Sequence, residues 1–202
     1  MVQDTLTLLD WKRRIFALYA QVRAHDDPRA ARELWRATRD ELFRTHTQSP
    51  IPEQKRTSFA GVPYFDYDPS LRFTVELEQA EPETYDITSS RDGTYSFTRF
   101  AKARIRIGGV DVALEAYWLN AYGGGVFVPF RDQTSGKTTY GAGRYLLDTV
   151  KGADLGEIDG KLLLDFNFAY NPSCSYDPRW DCPLAPLANW LPVPLEAGER
   201  YP

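Results

Sequence analysis

The sequence predicts a mainly β, α+β fold: an antiparallel β-sandwich or partly closed β-barrel with an N-terminal helical hairpin packed on its side or end. Three observations carry this reading. Apolar residues recur with helical period only before residue 50. Beyond it the period becomes two, most clearly over residues 104–118. The 5 Trp, 12 Tyr and 11 Phe, residue types that suit pleated and half-buried surfaces, fall mostly beyond residue 58.

The elements follow in order. Leu8, Trp11, Ile15, Leu18, Tyr19 and Val22 form one helical stripe, with Lys12, Arg13 and Arg14 largely outside it. Asp27 then offers an N-cap and Pro28 a first helical residue. Ala31, Leu34, Trp35, Thr38 and Leu42 repeat the period in a second helix ending near Arg44, while Arg32, Arg36, Arg39 and Glu41 stay outside or beside the stripe. The prolines of TQSPIPEQ cannot continue a helix, so the chain crosses there as an extended connector. Residues 1–50 are thus a helical pair with its connector, and 51–202 a β-rich body with a Pro-rich C-terminal wrap, in one folding unit.

In the body, RIRI, Gly108-Gly109 and VDVALEAYW read as a hairpin, because two glycines supply the positive φ of a tight turn. Ile105, Ile107, Val110, Val112, Leu114, Ala116 and Trp118 should face the core. Arg104, Arg106, Asp111 and Glu115 should face water, with Arg106 opposite Asp111. Further strands are expected at 71–78, 94–101, 125–131, 143–149 and 161–169. With no helices between them, they make an antiparallel sheet system.

Composition excludes several function classes. The net charge is −4, and Lys and Arg are scattered rather than drawn into a basic stripe, which argues against nucleic acid as a partner. No segment approaches the roughly 20 apolar residues of a membrane span, and the N-terminus lacks a signal-peptide pattern, so a cytoplasmic protein without a membrane partner is expected. Two cysteines are too few for a disulfide scaffold.

Candidate chemistry concentrates in two stretches. In KLLLDFNFAYN, residues 161–171, Leu162, Leu164, Phe166, Phe168 and Tyr170 share one strand face, and Leu163, Asp165, Asn167, Ala169 and Asn171 the other. One reading makes that second face a solvated outer side. The other makes it a pocket wall, since short Asp and Asn side chains suit fixed hydrogen bonding. The second stretch is FVPFRDQTSGKTTYGAGRYLLDT, residues 127–149. Gly136-Lys137-Thr138 is no P-loop, because position 131 is Arg where that motif needs Gly, and Gly141-Ala142-Gly143 is too short for a dinucleotide fingerprint. DQTSG reads as a turn, with Asp132 and Thr134 bonding neighbouring backbone. Arg144 shares a strand face with Leu146 and Asp148. It is expected either to pair with Asp148, Asp165 or another internal carboxylate, or to bind a ligand carboxylate or phosphate through its planar fork.

Cys174 and Cys182 stand too far apart for a usual zinc pair, and His25 and His46 lie far away in the helical region. Free, mostly buried thiols are expected. A disulfide, or Cys174 as nucleophile with His46 as base, are the other readings.

HTQSPIP, YFDYDPSLRF, the 127–149 stretch, LDFNFAYNPSCSYDPRWDCPLAP and NWLPVPLEAGER together resemble the bacterial and archaeal family known as domain of unknown function 1684, from about residue 34 to the C-terminus. The family brings no reaction. The resemblance implies that the functional motif residues are Asp132, Thr134, Tyr140, Arg144, Asp165, Asn167, Tyr170, Asn171, Cys174, Cys182 and Asn189. The chain departs from the family in having Ala142 where Gly is frequent, and Ala188 where Glu often precedes the Asn.

Three functional readings result. The first is a small-molecule site for an anionic or polar ligand. In it Arg144 anchors and Asp165 is a general base for a non-metal hydrolysis or isomerisation, while Asp132, Thr134, Tyr140, Asn167, Tyr170, Asn171, Cys174 and Asn189 contact the ligand. The second is a structural or interaction module, and the third a cysteine- or metal-dependent enzyme. The first is preferred, with no metal set and no cofactor named by the sequence.

Overall fold

The computed structural model of the chain describes residues 2–201. Helix α1 (Val2–Arg23) and helix α2 (Pro28–Thr45) form the hairpin, and a single turn α3 (Glu53–Arg56) follows the connector. Asp27 caps α2 as its sequence position requires, its carboxylate accepting from Arg29 N at 2.9 Å with Pro28 next to it. Eight strands follow: β1 (Arg72–Val75), β2 (Leu77–Thr88), β3 (Thr94–Ile107), β4 (Val110–Leu119), β5 (Val126–Phe130), β6 (Arg144–Asp148), β7 (Glu157–Ile158) and β8 (Lys161–Asp165). They make two antiparallel sheets, ordered β1-β8-β7 and β2-β3-β4-β5-β6. The sheets do not close into a barrel, so of the two expected architectures the chain adopts the sandwich.

Each face of the larger sheet buries a core. On one side Ile105, Ile107, Val112, Leu114 and Ala116 pack against Val75, Leu164 and Phe166 and against Leu191, Val193 and Leu195 of the C-terminal segment. On the other, Phe97, Tyr117, Phe127 and Tyr145 meet Ile15, Leu18 and Tyr19 of α1 and Trp35 of α2. The helical hairpin is therefore the cover of the second face, and Trp35 is fully buried there. Among the described residues, no helix is long and apolar enough to cross a membrane.

The Gly108-Gly109 hairpin forms with both glycines at positive φ, and Arg106 grips Asp111 through two bonds of 2.7 and 2.6 Å across the strands. Four assignments need correction. Val110 and Trp118 are exposed, because the core on that face spans only Val112 to Ala116 of β4. Glu115 is buried rather than solvated: the far face of β4 is covered too, and Arg99 and Lys102 of β3 neutralise its carboxylate at 3.0 and 3.1 Å. Arg32 and Arg39 lie inward, because α2 is enclosed on more than one apolar stripe. The strand expected over 161–169 stops at Asp165, whose side chain accepts from Asn167 N at 2.9 Å and turns residues 166–168 into a short 3-10 turn. Asp165, Asn167 and Asn171 consequently do not share one strand face.

Candidate functional site

Most of the polar side chains singled out in the sequence are buried, and they converge on the C-terminal segment 189–200. Asn189 accepts from Glu115 N at 2.7 Å and donates to Glu115 O and Pro129 O. Asp132 accepts from Thr134 N and Oγ1 and from Leu195 N, and Thr134 bonds Thr139 in turn. Arg144 donates to Asp132 at 3.0 Å and to the carbonyls of Leu195, Ala197 and Glu199. Its partner is Asp132, not Asp148 or Asp165, and its two terminal nitrogens hold the segment against β6, while Nε is buried without a partner. Burial pulls the Arg144 pKa down and Asp132 opposes that pull. Gly143 makes the seat possible: at φ +99° it lets β6 approach β5 so closely that a Cβ would lie 2.4 Å from Phe130 O.

Asn167 reaches the other way. It donates to Asp68 O at 2.7 Å and accepts from Asp68 N at 2.8 Å, pinning the loop before β1. Asp165 holds Asn167 and lies 3.7 Å from Arg72 Nε. Arg144 and Asp165 thus belong to separate networks, and the anchor-and-base pair expected of them is not assembled. Asp165 instead forms part of a pocket of about 290 Å³ between the α1–α2 turn and the smaller sheet, with Arg72, Arg23, His25 and Glu157 around it.

Two groups that the sequence did not mark as site residues, Glu199 and Arg39, organise the remainder. Glu199 is fully buried and accepts from Arg39, from Asn171 N at 2.6 Å, from Tyr176 at 2.9 Å and from Tyr64 at 3.4 Å. Arg39 lies over the rings of Trp35, Phe43 and Tyr170. No local signal marks this pair, because 160 residues separate its members.

Arg39 opens onto a second cavity of about 60 Å³, lined by Trp11, Tyr19, Tyr170, Asn171, Ser173 and Tyr176 among others. Past Trp11, Pro50, Lys151 and Ser173, which it shares, an outer groove of about 210 Å³ runs to Trp180, Asp181 and Cys182. This cleft collects Tyr170 and Asn171 from the expected set, and Cys182 lines its outer groove. Arg39 and Asn171 line the inner cavity and Trp180 the outer groove, and Arg39 Nε, Asn171 Oδ1 and Trp180 Nε1 are buried without a protein partner. Burial pushes the Tyr19 hydroxyl up to about 12 and the Tyr170 and Tyr176 hydroxyls well above their usual value, so all three remain protonated near neutral pH.

Cys174 and Cys182 are free thiols. Tyr140 Oη lies 3.7 Å from Cys174 Sγ, and its ring stacks on Tyr201. His46 is engaged elsewhere, with Nε2 3.1 Å from Asp10 and Nδ1 accepting from Gln48 N. Among the described residues, no three His, Cys, Asp or Glu side chains are placed to hold a metal ion together.

Residues 57–200 match the profile of a family described as protein of unknown function, DUF1684. The chain is also similar to an uncharacterised protein of Haloarcula marismortui solved by solution NMR, with 38% identity, a TM-score of 0.60, and coverage of 83% of this chain and 91% of that one. No match was found among curated proteins.

Proposed function

Because the chain belongs to the DUF1684 family, whose description assigns no activity, we propose from its own geometry that it binds a small polar molecule in the cleft between α1 and residues 170–182. The observation that carries this reading is a pair of unsatisfied buried atoms on two residues that line one cavity. A native interior leaves few such groups, and each costs about 1–3 kcal/mol unless something bonds it. Arg39 Nε offers a donor and Asn171 Oδ1 an acceptor. A hydroxyl or carboxamide group answers both at once. Glu199 balances the Arg39 charge, which favours a neutral polar head over a full anion in the inner cavity. Lys151 at the mouth, 3.8 Å from Asp148, suits a carboxylate or phosphate on the outer end of the same molecule. Trp11 and Phe43 supply the apolar walls that ligand pockets usually have.

A thermal-shift panel tests the reading, using polyols, amino acids, carboxamides and small carboxylates at millimolar concentration. At least one class is expected to raise the Tm of wild type and to lose that effect in Ser173→Trp, which plugs the passage between cavity and groove. Identical responses in the two proteins would count against the cleft.

The Asp165–Arg72 pocket supports a second reading, proton transfer by a buried carboxyl. Burial raises the Asp165 pKa, and the bonds from Asn167 and the charge of Arg72 only partly offset it. A folded-state pKa above the unfolded value means that the native protein holds the proton more tightly, so stability is lost as the pH rises through that window. Asp165→Asn keeps the acceptor for Asn167 without the charge. Its Tm is expected to gain on wild type as the pH is raised between about 3 and 7. A Tm difference that stays constant across the titration would refute a raised pKa.

A further inference from the structure

We infer that Cys174 and Cys182 form a redox-active dithiol, with Cys174 the attacking sulfur and Cys182 the resolving one, that exchanges with low-molecular-weight disulfides. The inference does not depend on the cleft holding a ligand. Its basis is placement. The two thiols interact with one another although seven residues separate them, and both are free. They differ in access as an exchanging pair must: Cys174 is half-buried in the 173–175 turn, and Cys182 is 2% exposed at the wall of the outer groove. The frame around them is fixed. Ser90 N donates to Cys182 O at 2.8 Å, Cys182 N donates to Ser90 Oγ at 3.1 Å, and Leu184 N donates to Thr88 O at 3.0 Å. The Tyr140 hydroxyl lies 3.7 Å from the Cys174 sulfur, and Ser90, whose Oγ accepts from Cys182 N, stands beside the pair.

That arrangement stabilises a thiolate. The Cys182 thiol, followed by Ser90 and Tyr140, brings the Cys174 pKa down to about 6 against the opposing effect of burial. Cys182 is pushed up, first by its interaction with the Cys174 sulfur and then by burial, so it keeps its proton while Cys174 is a thiolate. The chemistry is then ordered. The Cys174 thiolate attacks one sulfur of glutathione disulfide, forming a mixed disulfide and expelling one glutathione thiolate, which takes up a proton. Cys174 no longer carries charge, so the main cause holding the Cys182 proton is gone, and Lys151 favours its loss. The Cys182 thiolate attacks the Cys174 sulfur, forms the protein disulfide and releases the second glutathione. Two electrons pass from the protein to the glutathione pair, and the two released thiols take up two protons in all, one lost from Cys182 and one from solvent.

Intact-mass analysis after incubation with glutathione disulfide tests each step. Wild type is expected to lose two hydrogens and retain no glutathione, Cys182→Ser to retain one glutathionyl group, and Cys174→Ser to react at least about tenfold more slowly than Cys182→Ser. In unsubstituted protein, where no loss of folding can intervene, iodoacetamide should label Cys174 first, with a rate that is half-maximal near pH 6. An unchanged wild-type mass, or a wild-type adduct that stops at the mixed disulfide, overturns the dithiol. Equal rates for the two Ser variants, or labelling that rises only above pH 8, as for an ordinary thiol, overturns the assignment of roles.

Discussion

Glu199→Ala is expected to destabilise the protein by about 3–5 kcal/mol, the usual cost of removing one partner of a buried ion pair. The reasoning is local. Glu199 is fully buried, and its two oxygens receive the Arg39 guanidinium, Asn171 N and the hydroxyls of Tyr176 and Tyr64. Truncation strands four donors, one of them a charge enclosed by Trp35, Phe43 and Tyr170. Urea unfolding measures the effect, and the double variant Arg39→Met, Glu199→Gln separates its causes. If the stranded charge dominates, the double variant will be more stable than Glu199→Ala, because no uncompensated ion is left inside. A single-variant loss below about 1 kcal/mol would mean that water reaches Arg39 and the enclosure is looser than described.

Arg144→Met is expected to cost a similar amount, about 3–5 kcal/mol, and to act on the C-terminal segment. Asp132 would be left buried without its counter-ion, and the carbonyls of Leu195, Ala197 and Glu199 would each lose a donor. Lysine should not rescue it, since an ammonium cannot reproduce the fork that meets Asp132 and three carbonyls together. Limited proteolysis gives the second readout: the variant should be cut within residues 189–200 under conditions that leave wild type whole. If Arg144 served a ligand rather than the segment, the variant would unfold and digest like wild type.

These two results bear on what the sequence could convey. Local chemistry was legible. Asp27 followed by Pro28 marks the start of α2, and Gly108-Gly109 between alternating runs sets a register that places Arg106 against Asp111. Alternation also identified the strand that begins at Lys161, though it carried it to residue 169 rather than to its end at Asp165. It did not identify the break there, because a carboxylate that captures the amide two residues on ends a strand as readily as it continues one. Strand β2 went largely unread, since most of its residues from Glu78 to Thr88 are exposed and its pattern is polar on both faces.

The candidate site was half legible for a different reason. Residue type pointed to Asp132, Arg144, Asn167 and Asn171, and the family resemblance to Asn189, and all five are buried. Their partners are backbone groups and side chains of distant segments, which no spacing rule reveals. Asn189 meets Glu115 across 74 residues and Arg144 meets Leu195 across 51. A buried polar side chain that holds a strap and one that holds a ligand look alike in sequence. They part only when each unpartnered atom is also placed: Arg39 Nε and Asn171 Oδ1 belong to residues that line one cavity, whereas Arg144 Nε, also without a partner, belongs to a residue that lines neither the cavity nor its outer groove.

The central claim is that this cavity and its outer groove are occupied by a small molecule. Native mass spectrometry of freshly purified protein, set against its denatured mass, measures that directly. The account predicts a surplus native mass of one small organic molecule, released on denaturation and missing from Ser173→Trp. A native mass equal to the bare chain in both proteins, with no compound in the thermal-shift panel restoring a difference between them, would contradict it and leave the cleft as a seam in a structural domain.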